Sequence, residues 1–443
     1  MHTILILGAG KSSVFLIDHF LRSAKEKNRK VIIADISEEI AREKIKNHPD
    51  GQAVRINLDD EVDRRSLIGN SDVVISMLPA FLHPIIAKDC LDLGRNFFSA
   101  SYESEDLRKM KNDIESKGLF FLNECGLDPG IDHMSSIQVI NREKALGNKI
   151  ISFKSFTGGV LSPESEDNPW KYKFTWNPRN VVLAGKGVSM FIRNGKYKYI
   201  PYHMLFRRLE TISFDQVGDF DGYANRDSLS YRKIYGLEDI PTLLRGTLRR
   251  SGFCQSWDVF VQLGLTDDSF EMDLPDGFTQ RMLFNSFLPF HEYKTVEEKL
   301  IELLPWVDDS VLDKIKWLGL LSDVPLAKTK GSPAAILQSI LEEKWKLNPQ
   351  DKDMIVMQHQ FEVETPMGLK KIISSLVCKG ENQEYTAMAK TVGLPLAIAV
   401  DLFLEGNIKL KGLHIPVLPE IYDPILSALE KEGIIFEEKI SVG

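Results

Sequence analysis

Unbroken apolar runs alternate with stretches of helical periodicity through residues 1–125. Thr3-Ile-Leu-Ile-Leu7, Lys30-Val-Ile-Ile-Ala-Asp35, Ser71-Asp-Val-Val-Ile-Ser-Met-Leu78, Asn96-Phe-Phe-Ser99 and Leu119-Phe-Phe-Leu-Asn123 read as strands. After the first of them, Val14, Leu16, Ile17, Phe20 and Leu21 supply the apolar side of a helix. Strands that are apolar along their whole length are buried on both faces, and their alternation with helices predicts an α/β, doubly wound parallel sheet.

Beyond Gly130 the pattern changes. Lys149-Ile-Ile-Ser-Phe-Lys-Ser-Phe156 alternates enough to be a strand of a mixed sheet, and Gly158 to Pro178 reads as a polar, aromatic-rich loop. From about 295 to 346 the spacing is helical, as in Val296 to Leu304 and in Ser332-Pro-Ala-Ala-Ile-Leu, a serine cap with proline at the first helical position. Asp353 to Glu364, Thr365-Pro-Met-Gly368 and Lys370 to Val377 carry a β-hairpin signal. A last helix, Tyr385 to Glu405, is expected to pack back on the first domain.

Length and composition narrow the class. The 443 residues suggest two or three domains, and 43% hydrophobic with 27% charged residues is the balance of a globular protein. A net charge of −8 argues against broad nucleic-acid binding, although Arg245-Gly-Thr-Leu-Arg-Arg250 can still meet anionic small molecules. The four cysteines are scattered and the nine histidines lack ligand spacing, so reduced thiols, a cytoplasmic location and no metal are expected. Met1-His-Thr leads straight into a strand, so no signal peptide is expected. No apolar run approaches ~18 residues, so no membrane span is expected either.

Two turns carry the candidate chemistry. Gly8-x-Gly10-x-x-Ser13 is a dinucleotide fingerprint with serine at its third glycine position. The first glycine permits the tight turn, and the second lets a pyrophosphate approach the backbone N–H groups at a helix start. Lys11 either pairs with that pyrophosphate or is solvated. Asp35 closes the second strand, where its carboxylate can accept both ribose hydroxyls and would repel a 2′-phosphate; no cation follows at Ile36-Ser37, which favours NAD over NADP. The second turn is Glu124-Cys-Gly-Leu-Asp-Pro-Gly-Ile-Asp-His133, between a strand and a helix, the place where open α/β sheets bind ligands.

Together with Ser101-Tyr102, Ser162-Pro-Glu-Ser-Glu-Asp-Asn-Pro-Trp-Lys-Tyr-Lys-Phe-Thr-Trp176, Asn225-Arg-Asp-Ser228, Arg245-Gly-Thr-Leu-Arg249 and Tyr385-Thr-Ala-Met-Ala-Lys390, the second turn resembles saccharopine dehydrogenase of the glutamate-forming type, also called saccharopine reductase. The resemblance runs almost end to end. It implies a variant Rossmann domain over 1–125, completed by about 385–443. It further implies a mixed α/β substrate-binding and dimerisation domain over 126–290 and 350–384, a helical domain over 291–349, and a homodimer. The implied reaction in lysine metabolism is oxidation of saccharopine at its secondary amine to 2-aminoadipate 6-semialdehyde and glutamate, or its reverse. The resemblance places Ser101, Tyr102, Asp128, Arg226, Thr247, Leu248 and Arg249 on the substrate. Along the cofactor it places Gly8, Gly10, Lys11, Ser12, Asp35, Ile36, Ile56, Asn57, Met77, Leu78, Pro79 and Leu127-Asp-Pro-Gly-Ile-Asp-His133. Arg226 and Arg249 suit a substrate with three carboxylates. Asp128 can hold an amine or steady an iminium; Tyr102 and His133 are candidate proton carriers.

Each residue also has a plainer reading. Arg226 and Arg249 fit surface ion pairs, Asp128 a helix cap, Tyr102 a packed loop aromatic and His133 a satisfied helix-start histidine. Trp170 and Trp176 suit the domain join, and Glu164 to Asp167 a solvated loop. The chain departs from the family at Asp35-Ile36, where an arginine suited to NADP is usual, at Thr157, where cysteine is usual, and at Gly158-Gly-Val-Leu161. Two other functions therefore stay open: a related C–N oxidoreductase acting on another amino acid or a polyamine such as carboxynorspermidine, and a nucleotide-binding protein without turnover.

Overall fold

In the computed structural model, which describes residues 1–443, the amino-terminal apolar runs are strands. They are β1 (His2–Leu7), β2 (Arg29–Asp35), β3 (Gly51–Arg55), β4 (Val73–Ser76), β5 (Asn96–Ser99) and β6 (Phe120–Leu122). With Gly412–His414 they form a seven-stranded parallel sheet in the order Gly412–His414, β6, β5, β4, β1, β2, β3. Leu5, Leu7, Ile32, Val74, Phe97 and Phe121 are buried together as part of its core. Apart from the short Gly412–His414, only β3 was not expected. It is the edge strand and none of its five residues is buried, so it lacks the apolar run that marks the others.

This sheet belongs to the first of two compact units, Met1–Lys149 with Leu376–Glu438. The helix Ala387–Leu404 completes it. Gly393 allows the close approach, since a Cβ there would stand 3.0 Å from the Leu16 backbone nitrogen on helix Val14–Ser23. The expectation that no segment is long and apolar enough to cross a membrane needs correction: this 18-residue helix is, with a mean hydropathy of 1.7. It is 72% buried inside the protein, the condition of a core helix.

The same helix carries Asp401, whose carboxylate meets His19 Nε2 at 3.1 Å, Lys27 Nζ at 2.5 Å and the Arg29 guanidinium. Burial works to raise its pKa, but His19, Lys27 and Arg29 more than offset this and hold it at about 2. A depressed carboxyl pKa stabilises the fold fully above the unfolded value near 4, and that contribution is lost as pH falls from there through 2. The shift corresponds to roughly 2 kcal/mol. Asp401→Asn also takes from the buried Arg29 its nearer carboxylate and leaves only Glu405 at 3.8 Å, so it is expected to cost about 3 kcal/mol near neutral pH. Urea denaturation of both proteins across pH should show the gap narrowing below pH 4; a constant gap would mean that this charge cluster is not the source.

The second unit is Ile150–Ser375 with Lys439–Gly443. Its mixed sheet contains β7 (Lys149–Leu161), β8 (Val188–Arg193), β9 (Lys196–Pro201), β10 (Glu210–Phe214), β11 (Gly218–Ala224) and β12 (Thr242–Arg250), together with the hairpin Asp353–Thr365 and Gly368–Lys379 and the strand Phe436–Val442. The main order is β10, β11, β12, β7, the two hairpin strands, then Phe436–Val442; β8 pairs with both β12 and β9. β7 runs through Gly158 to Leu161, where a loop was expected. Gly158 lets it approach β12, because a Cβ there would lie 2.6 Å from the Leu248 carbonyl oxygen.

Trp170 lies in the interior of this unit, against Phe253, Trp257, Phe260 and Trp345, rather than at a domain join. Its indole N–H donates to the Lys314 carbonyl at 2.9 Å. Residues 291–349 belong to this unit rather than forming a third, and Lys314 and Trp345 tie them to it. The acidic run is likewise anchored: Lys173 joins Asp167 at 2.6 Å to Asp351 at 2.7 Å.

Candidate active site

In the first unit the fingerprint turn leaves β1. Gly8 has φ +101°, and a Cβ on it would sit 3.0 Å from the Met77 carbonyl oxygen. A Cβ on Gly10 would meet nothing within 4 Å. The first glycine is therefore required by the turn, and the second faces the open space that a pyrophosphate needs. Ser13 is buried and its hydroxyl donates to the Gly10 carbonyl at 2.8 Å, so serine closes the turn in the third glycine's place. Lys11 is exposed and Ser12 is half-buried.

Asp35 ends β2 with its carboxylate over this turn, accepting from the Ala9 N–H at 2.8 Å and the Ser37 N–H at 3.0 Å. Ile36 beside it is 74% exposed. Ile56 is buried and donates its N–H to the Asp35 carbonyl, while Asn57 is exposed. Arg55, opposite Asp35 in the β2–β3 register and exposed, is a cation that sequence reasoning passed over. Met77 and Leu78 are half-buried and Pro79 is exposed, directly after β4. A fixed carboxylate beside an open glycine turn is the donor and acceptor set that a dinucleotide requires.

The turn Glu124–His133 is held from within. The Gly126 N–H donates to the Pro129 carbonyl at 3.0 Å, and Gly126 and Leu127 carbonyls accept from Ile131 and Asp132 at 2.8 and 3.0 Å. Gly130 has φ +147°, and a Cβ on it would overlap the Gly126 backbone. Asp132 accepts from the Gly130 N–H at 2.7 Å. His133 is completely buried, with Nε2 2.9 Å from Glu124 and Nδ1 3.6 Å from Asp132. That environment makes it a brace of the turn rather than the proton carrier considered above. Leu127, Pro129, Ile131 and Asp132 are buried as well, so any cofactor contact they make is through backbone.

What the turn leaves reachable is Asp128. The helix Ile131–Ala145 has Gly130 at its N-cap and no side-chain cap, so the capping reading of Asp128 fails. Its Oδ1 accepts from the Tyr102 hydroxyl at 3.2 Å, and Tyr102 is 47% exposed, not packed away. Ser101 is next to it, with its N–H on Ser99 Oγ at 3.1 Å and its carbonyl accepting from Glu124.

The second unit holds the arginines. Thr247 and Arg249 alternate with Leu248 along β12, and Leu248 is fully buried in the core, so its backbone is what it can offer a ligand. Arg249 is 4% exposed, which rules out a surface ion pair. Its guanidinium lies 5.4 Å over the Tyr172 ring and 5.6 Å over that of Phe253, and donates to the Leu248 carbonyl at 3.0 Å. It forms no ion pair with a protein carboxylate: Asp221, opposite it in the β11–β12 register, accepts from the Gly252 N–H at 2.9 Å instead. Burial raises the Tyr172 and Tyr223 phenols, so neither supplies negative charge near neutral pH. Thr157, paired in register with Thr247, adds a buried hydroxyl with no partner. Arg226 is exposed, anchored by its backbone to Met190 and with its side chain in no ion pair.

Comparison with known proteins finds matches over nearly the whole chain. Residues 4–122 match the saccharopine dehydrogenase NADP binding domain, and residues 126–434 match the saccharopine dehydrogenase C-terminal domain. The L-glutamate-forming, NADP(+) saccharopine dehydrogenase of Saccharomyces cerevisiae is 34% identical over 88% of this chain and 89% of its own. The mitochondrial alpha-aminoadipic semialdehyde synthase of Rattus norvegicus is 33% identical over 99% of this chain and 48% of its own, so the chain spans about half the length of that relative. The solved apo saccharopine dehydrogenase (L-Glu forming) of Saccharomyces cerevisiae superposes with a TM-score of 0.91 at 31% identity, covering 100% of both chains.

Proposed function

Because the chain belongs to the saccharopine dehydrogenase family, we propose that it is an NAD(P)-dependent oxidoreductase acting on the C–N bond of saccharopine, in lysine metabolism. The observation that carries this reading is Arg249, a buried cation with no protein carboxylate. Burying such a charge costs several kcal/mol unless an anion compensates, and a tricarboxylic amine supplies one. A polyamine would bring cations instead, which disfavours that alternative.

In this reading Arg249 and Arg226 hold carboxylates, with Thr247 beside Arg249 as a hydroxyl partner. Ser101 and Tyr102 contact the substrate, and Asp128 holds the amine and offsets the positive charge of an iminium. The Tyr102 hydroxyl, already on Asp128, is the candidate to hand a proton to or from the nitrogen. The dinucleotide, held by Gly8, Gly10 and Asp35, supplies or accepts the hydride when bound. Purified protein mixed with saccharopine should reduce a nicotinamide dinucleotide, read by absorbance. Turnover of another secondary amine but not saccharopine would replace the substrate assignment; binding of reduced dinucleotide with no substrate-dependent oxidation would favour a protein without catalysis.

Asp35 points to NAD as the preferred cofactor, since a 2′-phosphate would meet its fixed negative charge. Arg55 on the adjacent strand is the one neighbouring feature that speaks for NADP, the cofactor in the name of the matched amino-terminal domain. Replacing Asp35 by Ala together with Ile36 by Arg should raise the NADP-to-NAD ratio of kcat/KM by roughly tenfold to a hundredfold. Wild-type preference for NADP, unchanged in the double variant, would assign selection to Arg55 or other contacts.

A further inference from the structure

His83 opens the helix His83–Leu93, seven residues after the end of β4, and is 3% exposed. Both of its ring nitrogens meet serine hydroxyls: Nδ1 stands 2.8 Å from Ser76 Oγ and Nε2 2.7 Å from Ser101 Oγ. Phe97 packs against the ring edge-on at 6.5 Å. Burial pushes the imidazole pKa down to about 4, so the ring is neutral near pH 7 and holds a single N–H.

The position of that proton follows from Ser76. Its hydroxyl is 1% exposed and the imidazole is its hydrogen-bond partner. Were Nδ1 protonated, the Ser76 O–H would be a buried donor with no acceptor, a costly arrangement. The Ser76 O–H therefore donates to Nδ1, Nε2–H donates to Ser101 Oγ, and Ser101 keeps its own O–H for something else. Ser101 is half-buried, and its backbone is pinned by Ser99 Oγ and the Glu124 N–H. A fixed hydroxyl with one lone pair filled and its proton free presents a donor.

We infer that His83 is a positioning residue, which holds the Ser101 hydroxyl in place and polarises it as a hydrogen-bond donor toward an acceptor group of the substrate, a carboxylate. This rests on the reading of Ser101 as a substrate contact. It adds direction to that contact: with one lone pair already filled by Nε2–H, the hydroxyl is a better donor and a poorer acceptor, which favours a carboxylate over an ammonium at the same place.

The test is a set of full-length variants assayed with saccharopine, with binding of reduced dinucleotide measured alongside. His83→Phe keeps the ring volume and removes both nitrogens. It should raise KM for saccharopine about tenfold, with kcat changed less than threefold and dinucleotide affinity unchanged. His83→Gln, whose amide can still donate to Ser101, should recover most of the loss. Ser76→Ala, which releases the tautomer without touching Ser101, should raise KM by roughly twofold to threefold. In a Ser101→Ala background His83→Phe should add nothing, because the effect passes through that hydroxyl. Equal effects of His83→Phe in both backgrounds, no recovery by glutamine, or a fall in dinucleotide affinity alongside the KM change would overturn the inference and leave His83 as a packing residue. If Ser101→Ala raises KM and His83→Phe does not, only the positioning role fails. If Ser101→Ala itself leaves saccharopine KM unchanged, the substrate-contact reading fails and takes this inference with it.

Discussion

Arg249→Met should remove most saccharopine turnover and leave the protein as stable as wild type, or more stable. The usual expectation for a fully buried residue is the opposite, a loss of several kcal/mol. Arg249 differs because its charge is buried without a carboxylate, among Tyr172, Phe253 and the Leu248 carbonyl. Exchanging an unneutralised buried charge for an apolar side chain of similar length relieves a desolvation cost, and a thioether packs well against aromatic rings. Binding moves the other way. A carboxylate that meets methionine loses a charge-assisted, bidentate partner, worth about 2–5 kcal/mol in a desolvated site. That corresponds to a fall in kcat/KM of roughly thirtyfold to five-thousandfold. Arg249→Lys should be impaired as well, since a point charge does not reproduce the planar fork. Denaturation without substrate and steady-state kinetics with saccharopine read the two halves separately. A large stability loss with unaltered kinetics would make Arg249 a structural residue and would remove the main support for the proposed substrate.

Gly10→Val separates fold from cofactor in the same way. Gly10 has φ −67° and ψ −176°, backbone that any residue adopts, and its added Cβ would touch nothing within 4 Å. The variant should fold with unchanged stability. Its side chain would nonetheless fill the space where the pyrophosphate approaches the N–H groups at the helix start. Affinity for reduced dinucleotide should fall more than about a hundredfold, as expected for losing several phosphate contacts at once. Gly8→Ala is the contrast. There φ is +101° and the Met77 carbonyl is 3.0 Å away, so the loss should be in stability first. Fluorescence titration with NADH, next to thermal unfolding, distinguishes the two. Wild-type affinity in the valine variant would show that this turn is not the cradle.

The sequence alone determined the parallel sheet, both glycine turns and the hairpin. Those features are written locally: an unbroken apolar run needs cover on both faces, and a tight strand-to-helix turn needs glycine, whatever the rest of the chain does. β3 escaped because an edge strand needs no apolar run. Tertiary structure alone decided which polar groups are satisfied. Asp35 reaches back 26 residues to the Ala9 N–H, His83 joins hydroxyls on two different segments, and His133 is closed off by Glu124 and Asp132. Arg249 is left without a counter-ion because Tyr172 and Phe253, from the loop after β7 and the helix Phe253–Leu263, face its guanidinium, while Asp221, opposite it in the β11–β12 register, is taken by the Gly252 N–H. Such pairings depend on strand order and register across tens of residues. Periodicity within one element carries no record of them, so the same arginine could be read as a surface ion pair in the chain and stands as a buried, unneutralised cation in the fold.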